Sequence, residues 1–313
     1  MRRLAALLCL AFLCGAPLVA PAAPGGTAYD SVTKIAMGAD PSSLQPGSFD
    51  DDYAAASAEQ PPAASGGGLF AHMKQAMAMG QNVGKLMTTG MAERHYVAGS
   101  KERTDYIAMG TAFITDCVAR TITTLNLRDK TYRIESMDHP SSATSSAPGA
   151  GAPAKDDGTR VAISIANSSL GSRVLAGQPT NGFRSVMTMT ESKPAGESST
   201  QNLDLIAYYS ALPMPFPTCF HLGSASGVSP GNAMAMMGAA MHVMQSLAVA
   251  GLDKRFSLKQ SGPLLPAGNI PMYEAVLYGQ NGSAAFVTEL GNVRPISAND
   301  PVFSVPADFT RQQ

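Results

Sequence analysis

Apolar and polar residues trade places along much of this chain, and the pattern sets out most of its elements. Alternation with a period of two marks a half-buried strand. Strand-like runs fall at residues 93–97 and 102–107, on either side of Gly99-Ser100, and then at 111–115. Runs at 121–127 and 131–136 flank Arg128-Asp129-Lys130, a hairpin signal. Weaker runs follow at 160–165 and 173–175. Residues 183–191 alternate clearly, with Phe183, Met187 and Met189 on one side and Arg184, Thr188 and Thr190 on the other. Residues 203–209, 272–278 and 284–290 complete the series. Consecutive strands joined by short turns predict an antiparallel sheet.

Two segments follow the helical period instead. Leu69, Met73, Met77, Gly80, Gly84 and Met87 recur at three- and four-residue steps, which predicts a helix over 69–87. A second is predicted over 230–250, with Ser229 as cap, Pro230 in the first turn and Gly251 at its end. Met234, Met237, Met241, Met244 and Ala248 form one stripe of it, and Met236, Ala240, Val243 and Leu247 an adjacent one. A helix apolar over so much of its surface is expected to be buried. The predicted class is therefore α+β, with Met-rich helices against one face of an antiparallel sheet. No regular repeat period is apparent.

Composition changes the picture at the N-terminus. Arg2 and Arg3 precede an apolar run from Leu4 to Leu13, and small residues follow. That is the form of a signal peptide, too short to span a bilayer. Ala20-Pro21-Ala22 places cleavage after Ala22. Neither Cys9 nor Cys14 follows a small residue, which favours an unlipidated product. Residues 23–66 are rich in Ala, Gly, Ser, Pro and Asp and read as a disordered leader. Residues 67–313 read as one domain, with a biased loop at 140–158 and a shorter one at 192–200. The chain has 22 basic and 23 acidic residues; losing residues 1–22 removes two arginines and no acid, for a net charge of −3. That excludes a basic nucleic-acid footprint. No later segment is apolar enough to be expected to cross a membrane.

Several phrases resemble those of a family of exported bacterial proteins of unknown function. Residues 94–105, R-H-Y-V-A-G-S-K-E-R-T-D, resemble its opening hairpin. Residues 113–134, running through D-K-T-Y, resemble its next strands. Residues 174–188, with Ala176-Gly177, resemble a characteristic turn and the strand after it, and residues 301–309 its ending. Such families are similar to the periplasmic lipoprotein-carrier (LolA/LppX-like) fold. The resemblance implies a strongly curved antiparallel half-barrel, with the Met-rich helices packed on its concave face. It also implies a periplasmic address, with secretion as the alternative, and a lipid or lipoprotein acyl chain as ligand. Relatives often carry a cysteine just after the turn, where this chain has Thr180 and Asn181.

Two cysteines remain after the leader, Cys117 and Cys219, and an oxidising compartment allows them one pairing. A bridge closing about 100 residues would contribute roughly 4–5 kcal/mol. The alternative is two buried thiols too far apart to join.

Candidate chemistry is sparse. The chain has 18 methionines and no Trp. Met73, Met77, Met234, Met237, Met241 and Met244 are candidates to line an adaptable apolar pocket, and equally to fill a core. His72 and His242 beside such sulfurs raise a Cu(I)-binding alternative. However, Met241 and Met244 lie on another helix face from His242. The five histidines are too widely spaced for a zinc motif, so no metal or cofactor is expected. The glycine-bounded phrase at 223–227 has Ala225 where a nucleophile elbow needs serine. Ser31-Val32-Thr33-Lys34 spells S-x-x-K, but inside the expected disordered leader. Glu93, Glu102, Asp105 and Asp116 read as solvated strand carboxylates, able to pair with Arg94 and Arg103. The expectation is a non-enzymatic exported protein that binds an apolar ligand. The alternatives are an envelope protein with a filled core that binds another protein, and a copper-binding protein.

Overall fold

The computed structural model describes residues 25–58, 84, 87–137, 160–194, 196–215, 256–266, 268–278 and 284–312. Its most regular part is a meander with a ten-residue beat. Strand β2 (Met91–Ala98) is followed by β3 (Lys101–Tyr106), β4 (Thr111–Asp116), β5 (Thr121–Asn126) and β6 (Thr131–Ser136). Four-residue turns join β3 to β6. The Asp116 carboxylate accepts from the backbone N–H of Val118 (3.0 Å) and Ala119 (2.9 Å). Asn126 does the same for Arg128 (3.1 Å) and Asp129 (3.0 Å). These are Asx turns, in which the side chain stands in for a backbone acceptor. The last turn residue is left-handed each time: Gly110 (φ 62°), Arg120 (φ 52°) and Lys130 (φ 51°).

Longer strands form the other half: β7 (Arg160–Leu175), β8 (Gln178–Ser192), β9 (Ser198–Pro213), β10 (Phe256–Ser261), β11 (Asn269–Tyr278) and β12 (Ala284–Ser297). The halves are joined by β1 (Gly25–Met37), which pairs with β12 on one side and β2 on the other. With β13 (Thr310–Arg311) at one edge, a single sheet of thirteen strands results, in the order β10-β7-β8-β9-β11-β12-β1-β2-β3-β4-β5-β6-β13. It is antiparallel except at its edges, where β10 runs parallel to β7 and β13 parallel to β6.

One face of the sheet, called here the capped face, is covered by described segments. Helix α1 (Phe49–Ser57) starts at Ser48, its N-cap, and carries Asp50, Asp51 and Asp52 in its first turn, where negative charge complements the helix dipole. Phe49 and Ala56 pack on Val32 and Ala92. Ala39 and Leu44 pack on Ile206, Tyr208, Tyr273 and Val287. Farther along, Phe303 packs on Ala28, Tyr96 and Ala98, and Val305 and Phe309 on Ala112, Ile114 and Leu125. Ion pairs fasten the same layer. Lys34 bonds Asp52 (2.6 Å) and lies 3.4 Å from Glu289. Arg94 donates to Asp30 (2.8 Å), and Arg103 to Asp105 (2.5 Å) and to the Val302 carbonyl (2.8 Å).

Three expectations need correction. The class is not α+β with Met-rich helices packed on the sheet. Among the described residues the fold is a mixed thirteen-stranded sheet whose one fully described α-helix, α1, holds no methionine and comes from another part of the chain. Of the first predicted Met-rich helix only Gly84 and Met87 are described, and both are helical but exposed rather than packed on the sheet; the second, over 230–250, lies outside the described residues, as do residues 1–22 and 140–158. The disorder expected over 23–66 does not hold for 25–58, which supplies a central strand and α1. Averaging composition over that stretch hid Tyr29, Val32 and Ile35. It also could not show that Asp30, Ser31, Thr33 and Lys34 have distant partners. Finally, the meander does have a period, ten residues, carried by turn chemistry and by a threonine opening β4, β5 and β6.

Candidate functional site

The face opposite α1 carries the groups whose chemistry is not spent on fastening. Cross-strand pairs share a face. The register therefore places Tyr29 and Ser31 of β1, Glu93 and His95 of β2, and Thr104 and Tyr106 of β3 side by side there. Ser31 Oγ lies 3.1 Å from His95 Nε2, and Glu93 Oε2 is also 3.1 Å from Nε2. Thr104 Oγ1 is 3.3 Å from Nδ1. The Tyr29 ring stacks on the imidazole at 4.8 Å between centroids. Ser31, Glu93 and His95 are each no more than 4% exposed. Burial, and then the charges of Glu93 and Glu102, push Tyr106 up to about 12. Glu102 is itself raised by burial, with His95 opposing.

A serine, a histidine and a carboxylate in contact invite comparison with an acyl-transfer triad. That relay needs the hydroxyl on one ring nitrogen and the acid on the other. Here both meet Nε2, so the contacts fix the ring rather than draw a proton from Ser31. The S-x-x-K phrase is also divided by the sheet. Ser31 faces His95, whereas Lys34 faces Asp52 on the capped side. No cluster of three or more metal-ligating side chains occurs among the described residues.

Three strands away on the same face, Glu274 of β11 stands in a different setting. Its registered neighbours are Ala207 of β9 and Thr288 of β12. The Thr288 hydroxyl is engaged with Thr33 at 3.3 Å. Around it run Leu205, Ala207 and Val276, with Leu203, Tyr209 and Leu265 against them. Glu274 is 6% exposed, and its Oε1 has no hydrogen-bond partner. Burial alone pushes its carboxyl up to about 8. Tyr209 is raised as well, by its own burial and then by the Glu274 charge.

Of the residues expected to form a site, Met73, Met77, Met234, Met237, Met241, Met244 and Cys219 lie outside the described residues, as do His72 and His242. Cys117 opens the β4–β5 turn, its N–H donating to the Ser100 carbonyl at 2.9 Å. The strand carboxylates are not the solvated set expected. Glu93 and Asp105 are buried, and Asp105 is bound by Arg103. Only Asp116 serves a turn at the surface. Glu274 went unremarked in the sequence, though one acid inside the apolar run Pro271 to Tyr278 was a legible signal.

No family model matches the chain, and no curated protein resembles it. Among solved structures it is similar to the crystal structure of LolA superfamily protein NE2245 from Nitrosomonas europaea. The two share 7% identity over 90% of this chain and 91% of that one, with a TM-score of 0.24. So low a score assigns a role to no residue.

Proposed function

We propose that this is an exported, non-enzymatic protein that binds an apolar ligand or acyl chain on the sheet face opposite α1. The observation that carries the proposal is the division between the two faces. Lys34, through Asp52, and Arg94, through Tyr53, hold α1, and Arg103 holds the tail, all on the capped face. On the other face, β9 and β11 contribute Leu203, Leu205, Ala207, Tyr209 and Val276 as one apolar cluster, buried at Leu205, Ala207 and Val276, so that a ligand reaches it only when that face opens. A non-directional apolar surface of this kind suits hydrocarbon. The exported address rests on the composition of residues 1–22, and the oxidising compartment it implies would let Cys117 and Cys219 pair. Native mass spectrometry of gently extracted protein should find a co-purifying lipid. A clean apo mass together with no binding of a fluorescent fatty acid refutes the proposal.

A second reading, an envelope protein that docks a protein partner, is favoured by the β7–β8 hairpin. Its end exposes Val174 (71%) and Leu170 (40%). It predicts capture of an envelope protein that is lost when both residues are changed to Ser, and no bound lipid.

A further inference from the structure

Strands β10 and β11 follow one another in the chain, but β7, β8 and β9 lie between them in the sheet. The connection must cross those strands, and two side chains show on which face. Asn167 of β7 is in register with Ser185 of β8 and, through it, with Leu205 of β9, so it points to the face opposite α1. Its amide donates to the Pro263 carbonyl at 2.9 Å. Leu265 packs on Leu205, Ala207 and Val276. Residues 262–266 therefore run as a strap over the apolar cluster. Leu265 is the one residue of that cluster, among those described, that comes from neither β9 nor β11.

The strap is pinned at its ends and held lightly between them. At the far end the Met214 N–H donates to the Gly268 carbonyl at 2.6 Å. At the near end Gly262 takes φ 81°, and a Cβ there would lie 1.8 Å from the Asn167 carbonyl oxygen, so glycine is needed where the chain leaves β10. Pro263 and Pro266 have no N–H to give, and residues 262–266 belong to no strand. Among the described residues, their one hydrogen bond to the strands beneath is the one from Asn167. That tie is itself incomplete. Asn167 is 8% exposed, and its Oδ1 has no hydrogen-bond partner. A buried acceptor left unmet is a cost carried while the strap lies down, and lifting the strap lets water meet it.

We infer that residues 262–266 are a strap that lifts at Gly262 to admit the apolar ligand, with Leu265 covering the cluster while it is empty and the Asn167–Pro263 hydrogen bond as its latch. The inference rests on the proposed function and supplies the opening that function needs. A hydrocarbon chain takes the surface that Leu265 occupies, so the closed and the loaded states exclude each other. A ligand that binds only with the strap lifted shifts the chain toward that state.

The test places one added thiol on the purified full chain, by Leu265→Cys or Leu264→Cys, and reads its alkylation at the strap peptide by mass spectrometry. Leu264 is 77% exposed, so a thiol there should react freely. The thiol at 265 should react at least about 10-fold more slowly, since an open state of roughly 10% or less limits it. A saturating fluorescent fatty acid should bring it up to the rate at 264. Asn167→Ala, which removes the latch, should speed it several-fold with no ligand present. Equal rates at the two positions without ligand overturn the inference. A fatty acid that binds by its fluorescence, yet leaves the 265 rate unchanged or lowers it, overturns the strap and leaves the proposed function standing. If the fatty acid does not bind at all, the proposed function fails and takes the strap's role with it. The comparison of 265 with 264 decides the matter even if Asn167→Ala does not fold.

Discussion

Glu274 should leave a mark on stability that can be read without knowing any ligand. In the folded chain its carboxyl is pushed from an ordinary 4.5 to about 8 by burial alone. Below the lower value both folded and unfolded chains hold the proton, and the group imposes no penalty. Between the two values the unfolded chain releases its proton while the folded chain keeps it. The unfolded state then binds fewer protons, so stability falls as pH rises. Above about 8 both states are ionised and the whole penalty stands. At about 1.36 kcal/mol for each tenfold change in proton affinity, the full drop is roughly 5 kcal/mol at most. Glu274→Gln keeps the shape and removes the titration. Denaturant midpoints and slopes, measured for both chains from about pH 5 to about pH 8, give the difference directly. Glu289 and Glu102, also raised by burial, titrate in both chains and cancel. The variant should gain on the parent steadily with pH, by a few kcal/mol at the upper end. Two parallel curves would mean that Glu274 is not buried and unpaired as described.

Lys34→Met leaves Glu289, 4% exposed, with no cation to offset its charge. The loss should be about 2–3 kcal/mol in urea denaturation, more than for Asp52→Asn, and under about 0.5 would contradict the pairing. Gly291→Ala would place a Cβ 2.3 Å from the Phe49 ring. It should push α1 off Val32 and Ala92 at a cost of about 1–3 kcal/mol. Faster protease cleavage within residues 49–57 would report the detachment, and an unchanged cleavage rate would refute it. Exported protein alkylated without reductant should take up no label at Cys117 or Cys219; two labels would end the proposed bridge.

Much of the sheet could be read in the residues. Alternation located β2 to β6 and the centres of β8, β9, β11 and β12, because a strand half-buried on a sheet repeats every two residues whatever lies beyond it. The Asx turns at Asp116 and Asn126 are equally local, made between residues two or three apart. Residues 25–37 show where local signals end. Asp30, Ser31, Thr33 and Lys34 look like a chain that stays in water. Their burial is offset by Arg94, His95, Thr288 and Asp52, two of them 64 positions away and one 255. Glu274 makes the same point in reverse. Its apolar setting on β11 was visible in the sequence, but only the packed sheet shows that no partner reaches it. What the sequence determined by itself is therefore the inventory of strands and turns, since propensity and periodicity act over a few neighbours. Tertiary structure decided which polar groups could be buried, because desolvation is offset only by groups that meet in space.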